Sequence, residues 1–229
     1  MLGRVGPRII ALSVVAALAG AAVAVAATSP ATLYHSAVVA ASAKRSVHYV
    51  ATSTFGGDRE VLVGDAGPDR GSQRVTFTHA GRTGRVAISV VANKAYLRGD
   101  AFALHAYLGL NAAQVAKYAG RWFVIAPPSG AFGAVAEAVR MPSFVAELLM
   151  PAPYTPALAA TLAGRRVTGV ASRFSRNGKS AVVTLYVAGG SPLPFAQVAK
   201  GPAGTVTTIM SRWNEPVRVA APAGALPFH

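Results

Sequence analysis

The chain has 229 residues and contains no cysteine. Disulfide bonds, thiolate metal ligands and cysteine nucleophiles are therefore excluded, and stability must come from the burial of apolar side chains. N-terminal lipidation of the bacterial type, which needs a cysteine, is excluded as well. The chain is long enough to bury a substantial core, because 52% of its residues are hydrophobic.

Acidic residues are also scarce, with 8 Asp and Glu against 22 Lys and Arg, for a formal charge of +14. In a nucleic-acid-binding protein, the basic residues would cluster on one face or along one helix. Here the basic residues are scattered, and only Lys44-Arg45 and Arg165-Arg166 are adjacent pairs. We therefore expect no nucleic-acid partner. Anionic lipid, a polyanionic wall polymer and a merely solvated surface all remain compatible with the charge.

Sequence signatures of catalysis are missing too. The chain has no nucleophile elbow and no serine-lysine pair of the S-x-x-K type. Its 5 histidines show no ligand-like spacing. Gly178-Lys179-Ser180 resembles the end of a phosphate-binding loop, but Arg173 stands where that loop needs its first glycine. We expect a protein that is not an enzyme and that has no cofactor and no metal.

The N-terminal 27 residues have the composition of an export signal. Arg4 and Arg8 form a basic start, 9–18 is apolar, and small residues at 22–26 offer cleavage sites after Ala26 or Ala27. The alternative is an uncleaved anchor, since 9–27 carries no charge. We therefore predict an exported monomer, outside the cell or at the outer face of the plasma membrane, with 28–229 as a single domain.

The first half of this domain reads as a helix followed by strands. Ser29 and Pro30 open a helix over 30–43. Alternating strands follow at 47–52, 60–64, 74–79, 85–91 and 94–98, with turn residues between them every 8–12 residues. This pattern predicts an antiparallel meander in which 94–98, short and aromatic, is an edge strand.

The middle of the chain predicts two short helices held between strands. Asp100 caps the first helix, over 101–108. Asn111 and Gln114 form a capping box for the second, which Gly120 ends before a strand at 121–125. Helices over 131–139 and 142–150, a proline-rich connection and a short Ala-rich helical piece follow.

The remainder returns to strands, and its clearest signal is Asn177-Gly178, which favours a hairpin with a type I′ turn. Strands at 195–200 and 205–213 follow, and 215–220 offers a last one. The order of helix, strands, helices and strands predicts an α+β fold.

Several stretches resemble the mycobacterial LppX/LprG-type envelope lipoproteins and, more distantly, the LolA-like carriers. They are ASAK at 41–44, SVH at 46–48, KAYLRG at 94–99, AKYAGRW at 116–122, LPF at 193–195 and SRWNEPV at 211–217. The resemblance implies an antiparallel half-barrel with helices covering its concave face, and an apolar cavity that accepts a lipid or glycolipid. This chain departs from the lipoproteins in lacking their anchoring cysteine.

On that resemblance we expect an exported cell-envelope protein that binds a lipid or lipid-linked molecule and carries lipid. The alternative is a structural or interaction module of the envelope, with a filled core and a basic surface for anionic polymer or membrane. Either a cavity or an ordinary core would use the same apolar residues. The candidate lining is Phe77, Ile88, Val90, Leu104, Leu108, Val115, Phe144, Leu148 and Leu185.

Overall fold

The computed structural model describes residues 28–176 and 179–229. The predicted signal segment and the Asn177-Gly178 turn lie outside these residues. The helices are α1 Pro30–Ser42, α2 Ala101–Ala106, α3 Ala112–Tyr118, α4 Gly130–Glu137 and α5 Met141–Glu147. The strands are β1 Val47–Phe55, β2 Asp58–Ala66, β3 Arg70–His79, β4 Arg82–Val91, β5 Lys94–Gly99, β6 Phe123–Ile125, β7 Tyr154–Leu162, β8 Arg165–Arg176, β9 Lys179–Ala188, β10 Pro194–Gly201, β11 Gly204–Ser211 and β12 Leu226–Pro227.

All of these strands belong to one sheet, in the order β12-β6-β5-β4-β3-β2-β1-β11-β10-β9-β8-β7. Neighbouring strands are antiparallel except for β12, which runs parallel to β6. The first half is the predicted meander, and β11 returns from the second half to pair with β1. The sheet does not close, because its edges are β12 and β7. The predicted α+β half-barrel is confirmed.

Three helices begin at the capping residues that the sequence indicates. The Ser29 hydroxyl accepts a hydrogen bond from the Thr32 amide, and the Asp100 carboxylate accepts one from the Ala103 amide. Asn111 and Gln114 make the reciprocal bonds of a capping box. Among the described residues, every helix is too short or too polar to span a bilayer.

Local patterns misplace three other segments. The strand at 94–98 is not an edge, because β5 lies between β4 and β6. The Ala-rich segment after the prolines is strand β7, not a helix. It is an edge strand, and because no strand pairs with its outer side, the missing N–H of Pro156 removes no hydrogen bond there. No strand forms at 215–220; the last one is β12, near the C-terminus.

The helices pack on one face of the sheet and bury two separate apolar clusters. α2 and α4 pack against β4 and β5, whereas α1 packs against β7, β8 and β10. The first cluster fills the space under α2, α3 and α4, with Leu104, Tyr118 and Phe123 almost fully buried. The second lies under α1 and α5 and includes Tyr34 and Met210. Leu62 of β2 contacts both clusters from between them.

Candidate functional site

Between the two clusters, the concave face carries a row of mostly small side chains, which we call the trough. Register identifies its floor, because residues directly opposite in antiparallel strands share a face of the sheet. Tyr49, on this face, stacks against Phe144 of α5 with ring centroids 5.1 Å apart. Residues of the same face nearer the β1–β2 hairpin are half-buried. This trough floor consists of Ala51, Ser53, Leu62, Val183, Ala199 and Val206.

The floor is made almost entirely of small side chains. Ala51 lies opposite Leu62, and Ser53 lies opposite Val206, which in turn lies opposite Ala199. Alanine, serine and valine leave room above the sheet that leucine or phenylalanine would fill. Leu62 and Val183 pack against the helix-covered clusters, whereas Ala51, Ser53, Ala199 and Val206 are half-buried and belong to neither cluster, so these four mark the part of the concave face that the clusters leave uncovered.

Aromatic side chains stand at the rim of the trough. Phe55 at the end of β1 is 45% exposed, Tyr107 after α2 is 40% exposed, and Phe174 of β8 is 37% exposed. A cavity of about 340 Å³ opens here and is lined by Phe55, Phe77 and Tyr107 among others. Exposed large apolar side chains at the mouth of a concave surface are typical of a site that meets an apolar partner.

Carboxylates and an amide supply the polar groups of the trough. Partial burial raises the pKa of Glu60, and desolvation likewise raises the pKa of Glu147. Burial, together with the charge of Glu60, raises the pKa of Tyr107. The Gln197 amide donates a hydrogen bond of 3.2 Å to the Glu147 carbonyl and so ties β10 to α5. The trough floor is thus mainly apolar, with hydroxyls at Ser53 and at Thr208, which lies opposite Ala51, and further polar groups lie where the trough meets α2 and α5.

The nine candidate residues divide between the two buried clusters. Phe77, Ile88, Val90 and Leu104 are buried in the first cluster, with Leu108 and Val115 packed against it. Phe144, Leu148 and Leu185 belong to the second cluster. That these nine line a lipid cavity stays a prediction. Phe77 is the member that reaches the rim cavity.

Sequence reasoning missed the trough floor, because small half-buried residues produce no distinctive pattern. It also missed two histidine–aspartate pairs, whose members are 17 and 21 positions apart. His48 Nδ1 lies 2.8 Å from Asp65 Oδ1, and His79 Nδ1 lies 2.6 Å from Asp58 Oδ2. The bond from His79 lowers the pKa of Asp58. Within 28–176 and 179–229, no group of three or more His, Asp or Glu side chains could hold a metal ion.

Comparison with known proteins gives a fold but no sequence family. No protein-family model matches the chain, and no characterised protein matches its sequence. Among solved structures, LprF from Mycobacterium bovis superposes with a TM-score of 0.56 at 14% identity, covering 85% of this chain and 97% of LprF. Lipoprotein LppX from Mycobacterium tuberculosis gives a TM-score of 0.52 at 14% identity, covering 84% of this chain and 100% of LppX. The resemblance to LppX-type lipoproteins is therefore confirmed as a shared fold.

Proposed function

We propose that this protein is a non-enzymatic, exported protein of the cell envelope that binds the acyl chain of a lipid or lipid-linked molecule in the trough. The observation that supports this function is the row of small, half-buried side chains on the concave face. The fold shared with the lipoprotein LppX supports the same assignment.

The energetics of transfer favour a partly open apolar site. Burying a CH₂ group gains about 0.8 kcal/mol relative to water, but a bilayer offers a similar gain. A site that exchanges lipid with a membrane therefore needs an apolar floor and few unpaired polar groups, each of which costs about 1–3 kcal/mol when buried. Ala51, Val183, Ala199 and Val206 meet that condition, since their side chains contain no polar atom.

The polar groups of the trough indicate the direction of the bound molecule. Glu60 and Tyr107 line the rim cavity together with Phe55. Partial burial already disfavours the charged form of Glu60. A hydrocarbon chain lying across this carboxylate would remove more of its water and add to that cost. We therefore place the acyl chain over β1, β11, β10 and β9, with its polar head group near Glu60 and Tyr107.

Native mass spectrometry of the full-length protein, purified from the membranes of its own host, tests this function. We expect a mass adduct that chloroform–methanol extraction removes and that fragments to an acyl chain. A protein that is bare after such a purification, and that also fails to bind a fluorescent fatty acid after delipidation, would overturn the proposal.

A further inference from the structure

Folding gathers arginines that are scattered in the sequence onto the convex face of the sheet. Arg74 of β3 and Arg98 of β5 are the direct partners of Ala87, from either side of β4. Arg85 lies two residues before Ala87 on the same strand and so faces the same way. All three arginines are exposed, and Ala87 between them is half-buried. We call Arg74, Arg85 and Arg98 the arginine triangle.

The spacing of the triangle follows from strand geometry. Arg74 and Arg98 stand two strands apart, which places their Cα atoms about 10 Å from each other. Arg85 is offset from Arg74 and from Arg98 by one strand and two residues, which places its Cα atom about 8 Å from each of theirs. Long guanidinium arms can converge over the small Ala87 side chain from these positions. Such a recess suits one tetrahedral anion, which arginines bind through paired N–H groups.

The charge of the triangle is not neutralised by neighbouring carboxylates. In the described part of the chain, none of the three guanidinium groups takes part in an ion pair. Asp65, on the same face, is held by His48 at 2.8 Å and by Arg212 at 3.5 Å. The Asp100 carboxylate, which caps α2, accepts hydrogen bonds from the backbone amides of Arg85 and Ala103.

The surroundings of the triangle favour a hydrophilic chain over a bilayer or a nucleic acid. The exposed positions beside it on β3 and β4 carry hydroxyls, at Thr76 and Thr83. The strand residues of this face near the triangle include no exposed aromatic side chain, and the large apolar side chain that is exposed there is the short Val63, opposite Arg74. Bilayer docking relies on large apolar groups that insert, and single-stranded nucleic acids stack on aromatic rings. The exposed aromatic residues lie instead at the rim of the trough.

We propose that the arginine triangle binds a phosphate-bearing carbohydrate or polyol polymer, with a phosphate seated over Ala87 and hydroxyls of the polymer contacting the flanking threonines. This site is separate from the trough and does not depend on lipid binding. A protein that binds lipid on its concave face would be held by its convex face to an anionic polymer.

The test compares two triple variants of the full-length protein with equal changes in charge. One replaces the triangle, as Arg74→Gln, Arg85→Gln and Arg98→Gln. The control replaces the exposed Arg121, Arg166 and Arg218 by glutamine. Affinity for an immobilised poly(glycerol phosphate) oligomer is measured, with neutral dextran as the blank, and circular dichroism checks folding.

We expect at least tenfold weaker binding for the triangle variant and less than threefold for the control. Equal losses in both variants would overturn the proposal, because they would show an effect of net charge alone. Binding to phosphatidylglycerol vesicles that falls with the triangle variant, while polymer binding is unchanged, would overturn it in favour of a membrane. If native mass spectrometry finds no bound lipid but the two triple variants still differ in polymer affinity, only the proposed lipid-binding function of the trough is overturned.

Discussion

Ala199 of β10 and Val206 of β11 face each other directly on the floor of the trough. Because strands alternate their side chains between the two faces, Val198 next to Ala199 points to the convex side. Each trough residue therefore has a neighbour of similar burial that can serve as its control.

Filling the trough should weaken acyl binding without harming the fold. We expect Ala199→Trp to weaken binding of a fluorescent fatty acid by at least tenfold, because the indole occupies the space of several CH₂ groups at about 0.8 kcal/mol each. Val198→Trp should change binding by less than twofold. The measurement is fluorescence titration of delipidated protein. Equal effects from the two variants would contradict a ligand site on the concave face.

Glu60 makes the stability of the folded protein depend on pH. Burial raises its pKa in the folded protein above the unfolded value, so the native state binds the proton more tightly. Its contribution to stability is therefore greatest below the unfolded pKa of about 4.3 and is lost as pH rises through the folded pKa.

We accordingly expect Glu60→Gln to raise the melting temperature at pH 7 and to leave it nearly unchanged at pH 3.5, as followed by differential scanning fluorimetry. Glu137→Gln, on the exposed side of α4, is the matched control for the loss of a carboxylate. A melting temperature of Glu60→Gln that is lowered at pH 7 would contradict this account.

Tyr34 attaches α1 to the end of α5. Its hydroxyl accepts a hydrogen bond of 2.7 Å from the Met150 amide, and its ring lies 4.4 Å from that of Tyr154. Tyr34→Phe leaves the buried Met150 N–H without its partner, so we expect a loss of about 1–3 kcal/mol in the free energy of unfolding, measured by urea denaturation. Tyr107→Phe removes a hydroxyl at the exposed rim and should cost less than about 0.5 kcal/mol.

The capping box of α3 is a second local test of stability. Asn111→Ala removes the acceptor for the Gln114 amide at 2.9 Å, and we expect a loss of about 1 kcal/mol in urea denaturation. Gln114→Ala removes the return bond to the Asn111 amide at 3.1 Å and should cost less, because that exposed amide can bond to water. A larger loss for Gln114→Ala would contradict the assigned roles.

Much of the fold could be read from local sequence, because caps, turns and alternation act over a few residues. Ser29, Asp100 and Asn111 mark real helix starts for that reason. Strand order is different, since it depends on pairings far apart in the chain. The central position of β5 is fixed by its pairing with β6 across two helices, which the composition of 94–98 does not reveal.

The site depends still more on register. Ser53 and Ala199 come to lie on either side of Val206 on the trough floor only through β11, which pairs with both β1 and β10. The arginine triangle has the same origin: Arg74, Arg85 and Arg98 are at least eleven positions apart in sequence, yet they meet around Ala87. Periodicity shows which face a residue takes within its own strand, but not which residues lie beside it on other strands.

The edge strand β7 has a consequence for how molecules of this protein meet one another. Pro156 lacks an N–H, and the pairing with β8 shifts between Ala157 and Ala160, where Leu158 is 90% exposed. A second molecule that tried to extend the sheet here would find a missing donor and a kinked backbone. The opposite edge, β12, is only two residues long. Crowded solutions of this protein should accordingly resist growth into cross-β fibrils from the folded state.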